Sequence, residues 1–245
     1  MHRPRFYTTA SLRNGQQLTL DREVSRHIAK ALRMRAGDTL YLFDGSGIES
    51  TASITAVERN QVVVDVGETV FVDRESPLAI TLAVALSRGD RMDTIMQKAT
   101  ELGVTAIWPF TSERTGVRLE GDRLKKKEEH WRRITISACE QCGRNRVPKI
   151  SPTSSYEQLL EAAKISESSL RLLLHPEGKA KPLPERCESL LLMVGPEGGF
   201  TDGEVVAATY ADFKPFLLGP RILRAETAPL TAIAVAQSEW GDLTI

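Results

Sequence analysis

The stretch that most constrains this chain is SLLLMVGPEGGFTDGE, Ser189 to Glu204, where an apolar run meets a glycine-rich turn and a helix start. Leu190, Leu191, Leu192, Met193 and Val194 form a run too short for a typical helix and bounded by Gly195. That is how a strand buried on both faces of a parallel sheet reads. Gly195, Gly198 and Gly199 are expected to let the backbone take positive φ values and approach a ligand closely. Thr201 stands three residues before Glu204, a capping-box spacing, and Phe200 and Val205 occupy the two staple positions. The order strand, glycine loop, helix places the loop at the carboxyl end of a strand, where open α/β sheets bind ligands.

The loop has neither the Lys-Ser or Lys-Thr of a Walker A sequence nor the glycine spacing of the dinucleotide fingerprint. Glu197 would oppose phosphate at a helix N-terminus. A cationic or neutral ligand offering amino and hydroxyl donors fits better; a glycine turn that merely joins strand to helix is the other reading.

The surrounding chain divides in two. Residues 1–74 read as a small β-rich unit, with β-prone runs at Arg5 to Thr8, Gln17 to Leu20, Thr39 to Phe43, Ser50 to Val57 and Val62 to Val66. Turn signals fall at Asn14-Gly15, Gly45-Ser46-Gly47 and Asn60, and Asp21 is a helix N-cap for Val24, Ile28, Ala31 and Leu32. A small barrel with an inserted basic helix is the natural assembly. Asp73 to Pro77 reads as a linker, and residues 75–245 alternate strand and helix, which implies a largely parallel sheet covered on both faces. The strands expected are Leu78 to Leu86, Thr105 to Phe110, Leu170 to His175, the run before the glycine loop, and Phe216 to Gly219. The helices expected are Met92 to Leu102, a long basic one over Asp122 to Cys142, Tyr156 to Ala163, and Thr227 to Trp240. The last is apolar nearly all round, so it needs cover on more than one side.

No run approaches the roughly 18 apolar residues of a membrane span, and MHRPRFYTT lacks a secretory apolar core. Three cysteines form no disulfide framework, so a cytoplasmic, reducing compartment is expected. Cys139 and Cys142 lack the second ligand pair that zinc wants, and no metal is expected. The net charge is zero, but residues 1–35 hold eight Arg or Lys against two acids, and residues 114–149 eleven against five. Such patches attract phosphate backbones, or are solvated helix faces.

Several strings then stand together: RGDRMDTIMQKATELGV from Arg88, SER at Ser112, ACEQCGRNRVP from Ala138, GPEGGF from Gly195, and LGPRILRAETAP from Leu218. As a set, running from the N-terminal RFY to the last helix, they resemble the bacterial 16S ribosomal RNA uridine-N3 methyltransferase family, of the SPOUT class of S-adenosylmethionine-dependent enzymes. Cys142, where serine is expected, and Thr115-Gly116 depart from the pattern. The resemblance implies a PUA-like N-terminal β-barrel that binds RNA, a C-terminal SPOUT α/β domain with a deep trefoil knot, a homodimer, and 16S rRNA of the small ribosomal subunit as substrate. Knots are rare by general rule, and no periodicity here announces one.

By position in the matching motifs, S-adenosylmethionine would be held by three loops: Leu174 and His175; Gly195, Pro196, Glu197, Gly198 and Gly199; and Leu218, Gly219, Ile222 and Leu223. Arg224 would stabilise a uracil anion or bind phosphate. Glu226 would act as base or pair with Arg224. Glu140 and Arg144 are the next catalytic candidates, with a contribution from a partner subunit as one option. Arg5, Arg33, Arg88, Arg91, Lys98, Arg114, Arg132 and Arg146 are candidates for RNA contact, mostly to phosphates. A nonenzymatic RNA-binding protein and a methyltransferase acting on another RNA are the alternatives.

Overall fold

The computed structural model describes residues 3–58, 61–117, 119–179 and 184–243; the turn expected at Asn60 lies outside them. Contacts divide the chain into a first unit, Met1–Glu75 with Cys139–Val147, and a second, Ser76–Ala138 with Pro148–Ile245. The expected boundary treated the first unit as continuous. The end of the long basic helix and the loop after it join that unit, because the polar partners of Arg5 and Glu75 lie there.

In the first unit, β1 (Arg5–Tyr7), β2 (Gln17–Thr19), β3 (Thr39–Phe43), β4 (Ile48–Val57) and β5 (Val62–Phe71) form one sheet in the order β1-β3-β4-β5-β2. Only the β1–β3 pairing is parallel. Phe6, Leu40, Leu42, Ile54, Val62 and Val64 fill its core with Ile28. Asp21 stands at the helix start without a side-chain cap, and the helix is brief: α1 (Arg22–Arg26) gives way to a single π turn, His27–Ala31.

The second unit holds a parallel sheet in the order β12-β10-β11-β6-β7-β8, with β9 also on β7. Its strands and helices run β6 (Ala79–Ala85), α2 (Arg91–Glu101), β7 (Ala106–Thr111), α3 (Gly121–Cys142), β8 (Lys149–Ile150), β9 (Ser154–Ser155), α4 (Tyr156–Ile165), β10 (Leu170–Lys179), β11 (Ser189–Val194), α5 (Asp202–Tyr210), β12 (Lys214–Phe216) and α6 (Thr227–Trp240). β11 is central, and its side chains alternate between two cores, Leu190, Leu192 and Val194 on one face and Leu191 and Met193 on the other. Its continuous apolar run follows from that double burial. Trp131 and Ala138 of α3 are buried, and Ile134, at helical spacing between them, is half-buried against the core that holds Trp131. The strand expected at Phe216 to Gly219 sits earlier, at Lys214–Phe216, and Leu217 to Gly219 leave the sheet. Cys139 and Cys142 are free helix residues, and burial pushes the Cys139 thiol up to about 12.

Candidate functional site

Three neighbouring parallel strands, β12, β10 and β11, meet at a cleft of about 760 Å³, walled by the carboxyl-terminal half of β10 and by the loops that follow β11 and β12. Such a volume suits a small-molecule ligand. From β10 come Leu174, His175, Pro176 and Glu177; from β11, Val194 to Phe200; from β12, Phe216 to Glu226. β10 bulges here, since Leu174 and Lys179 both register against Phe216. Gly178 is required at that bulge because an added Cβ would fall 2.7 Å from the Phe216 carbonyl carbon. Between Leu218 and Leu223 no backbone group hydrogen-bonds to another backbone group among the described residues.

The glycines of GPEGG divide their duties differently from expectation. Gly199 takes a positive φ of 68°, as does Gly219 at 75°. Gly195 and Gly198 do not; they are small because a Cβ would lie 2.9 Å from the Phe200 ring in one case and 3.1 Å from the Arg114 Cβ in the other. The α5 capping box forms as expected: Thr201 Oγ1 accepts from the Glu204 N–H, and Glu204 Oε2 accepts from the Thr201 N–H at 2.8 Å. Glu204 also accepts from the Glu113 N–H at 2.9 Å, and Arg114 Nη1 donates to the Gly198 and Phe200 carbonyls at 3.1 and 3.2 Å. The Ser112–Arg114 segment therefore braces the glycine loop, a role invisible in the string SER.

A second hollow shares Arg91, Arg114, Glu197, Gly198 and Glu226 with the cleft and adds Arg88, Gly89, Asp90, Thr94 and Gly116. Arg91 joins its walls by ion-pairing with Glu197 through Nη1 and with Glu226 Oε2 through Nε at 3.5 Å. Burial alone would raise the Glu197 carboxyl, but hydrogen bonds from its own N–H, the Arg88 N–H at 3.2 Å and Arg91 hold it below the usual carboxylate range. Glu226 thus pairs with Arg91, not with Arg224, whose side chain is exposed and free of carboxylate partners among the described residues.

The other expected site residues scatter. Arg33, Arg132 and Arg146 are exposed. Lys98 pairs with Glu101 at 2.9 Å, and Arg88 Nε donates to the Gly116 carbonyl at 3.0 Å. The side chains of Arg5 and Arg144 are 7% and 6% exposed and are engaged within the first unit, and neither lines the cleft. Arg5 pairs with Glu49 and donates to Asn145 Oδ1 at 2.6 Å, while Arg144 pairs with Glu75. Glu140 accepts from the Tyr7 N–H at 3.1 Å, and burial pushes its carboxyl up. The cleft lining contains neither Glu140 nor Arg144. Among the described residues no three His, Cys, Asp or Glu side chains converge on a metal site, and no helix is long and apolar enough to cross a membrane.

Comparisons with known proteins align with this geometry. A family model of the RNA methyltransferase domain matches residues 74–237, and one of the RNA methyltransferase PUA domain matches residues 20–67. Ribosomal RNA small subunit methyltransferase E of Buchnera aphidicola subsp. Schizaphis graminum is 33% identical over 98% of each chain. That of Bacillus subtilis is 34% identical over 93% of this chain and 92% of its own. A crystal structure of the Neisseria gonorrhoeae ribosomal RNA small subunit methyltransferase E bound to S-adenosyl methionine superposes with a TM-score of 0.94, at 43% identity over 99% of this chain and 100% of that one. With its PUA domain, its parallel-sheet domain and its strand-end cleft, this chain belongs to the family of the bacterial ribosomal RNA small subunit methyltransferases E.

Proposed function

We propose that this chain is an S-adenosylmethionine-dependent methyltransferase of 16S ribosomal RNA in the small subunit, and that its target atom is N3 of a uridine. The observation that carries the reading is the cleft, walled by the end of β10 and by the loops after β11 and β12, in a chain that matches a cofactor-bound family member over 99% of its length. The residues present fit that cofactor. Leu174, Val194, Leu218, Ile222 and Ala228 offer an apolar wall for a purine, and the 218–223 backbone has unengaged donors and acceptors for its edge. Bound there, S-adenosylmethionine supplies an electrophilic methyl group on a sulfonium.

The rest is work for the chain. The uridine imide carries a proton that must leave before or as N3 attacks, so the site needs a proton acceptor and a way to stabilise the anion. The exposed Arg224 guanidinium suits the developing negative charge. Glu226 lines the cleft, and its Oε2 faces Arg91 Nε at 3.5 Å without a hydrogen bond to it; it is the base in this reading. Exposed Arg33, Arg132 and Arg146, with Arg88 and Arg114, meet phosphates.

The same reading includes a homodimer and a trefoil-knotted path, in the cytoplasm. The dimer is supported by α6, which buries Pro229, Ala232, Ile233, Ala236 and Gln237 yet leaves Thr231, Ala234 and Val235 half-buried or exposed. The knot is supported by the strand order, in which the chain reaches the sheet edge at β12 and α6 returns onto β6, β11 and α2.

The test is transfer of labelled methyl from S-adenosylmethionine to small subunits lacking the modification, with the nucleosides separated afterwards. Label in N3-methyluridine is the expected result. Label in another nucleoside, or none, contradicts the assignment. Glu226→Gln should lose turnover at unchanged cofactor affinity, and titration calorimetry showing lost cofactor binding instead would remove Glu226 as the base.

A further inference from the structure

Arg91 occupies the first position of α2, where a cation runs against the helix macrodipole, so local helix physics gives no reason for an arginine there. A local rule broken in this way points to a task elsewhere. Its guanidinium meets Glu197, which follows β11, and Glu226, which follows β12, so one side chain spans both loops that wall the cleft. The base of the span is firm. Met92, Ile95, Met96 and Ala99 anchor α2 in the core, and Asp93 of the same turn receives Lys127 Nζ at 3.1 Å and His130 Nε2 at 2.7 Å from α3. Two carboxylates on facing loops would repel each other without the cation between them.

We infer that Arg91 is a positioning residue for the cofactor site: its guanidinium clasps the 195–199 loop to the 218–226 segment and sets the width of the cleft. This differs from a phosphate contact, and it rests on the proposed cofactor. The distinction is measurable because a clasp acts on cofactor affinity, whereas a phosphate contact acts on RNA.

The experiment is calorimetric titration of S-adenosylmethionine into the wild-type chain, Arg91→Ala, Arg91→Lys and the double variant Arg91→Ala/Glu197→Gln, with KM for RNA and thermal unfolding measured on each. Arg91→Ala is expected to weaken cofactor binding about tenfold with little change in the RNA KM. The double variant loses no more than Arg91→Ala alone, because Glu197 without its cation no longer holds the loop in place. Arg91→Lys, which reaches one carboxylate at a time, falls between and serves if Arg91→Ala does not fold. Wild-type affinity in both single variants, a rise in RNA KM alone, or a double variant clearly weaker than Arg91→Ala would each overturn the clasp. Failure of the wild-type chain to bind S-adenosylmethionine overturns the cofactor assignment itself, a separate result.

Discussion

Arginine–glutamate pairs serve in each unit, in opposite settings. In the first, the side chains of Arg5 and Glu49 are 7% and 9% exposed and those of Arg144 and Glu75 6% and 15%. In the second, Arg91, Glu197 and Glu226 are 40%, 33% and 23% exposed. A sealed pair that loses one member leaves an uncompensated buried charge, whereas an open pair is screened by water and is worth little to stability. The first arrangement therefore holds a β-rich unit to the 139–147 segment. The second, in the clasp inferred above, ties two cleft segments together while adding little to global stability. The same two residue types do structural work where they are dry and positioning work where they are wet.

The largest expected effect tests the dry side. Glu49→Ala strands Arg5 and should destabilise the first unit by about 3–5 kcal/mol in urea unfolding; a loss no larger than that of an exposed pair would erase the contrast. Next, Gly178→Ala drives a Cβ into the Phe216 backbone and should cost about 1–3 kcal/mol while loosening the cleft wall, read as a lower melting temperature together with weaker cofactor binding.

Then comes pH. Burial opposes ionisation of Glu49, but Arg5 and Arg74 outweigh it and depress its carboxyl. The stability it lends is present above the ordinary carboxylate pKa and disappears as pH falls through its lower folded value. Glu140 has the opposite sign: its raised folded value means that the native state takes up the proton first, so its ionisation erodes stability as pH rises. Glu140→Gln should accordingly hold or raise the melting temperature at neutral pH, with turnover preserved. Loss of turnover at unchanged stability would return Glu140 to the catalytic set. The smallest effect is that of Arg91→Ala on global stability, about 1 kcal/mol or less, even where cofactor affinity falls.

What could be read from sequence follows the range of the forces involved. The β11 run, the α5 capping box and α6 came through because each rests on local periodicity or capping, and α6 begins and ends where its pattern does. Gly195 and Gly198 were expected to owe their identity to backbone freedom, but they owe it to Phe200 and Arg114, the latter more than eighty positions away in the chain, which no local pattern reports. Arg5 was read as a phosphate contact, and the depth of its side chain was not foreseen, because charge alone does not tell a solvated arginine from a buried one. The partner of Glu226 was sought two residues away at Arg224 and lies on α2. The segments that wall the cleft were legible because glycine and motif order mark them; ion-pair partners were not, since they are set by tertiary approach.

Nucleoside mass spectrometry of small-subunit RNA from cells lacking this protein tests the assignment most directly. N3-methyluridine should vanish from that RNA and return when the wild-type chain is restored. An undiminished level of N3-methyluridine in those cells would contradict it.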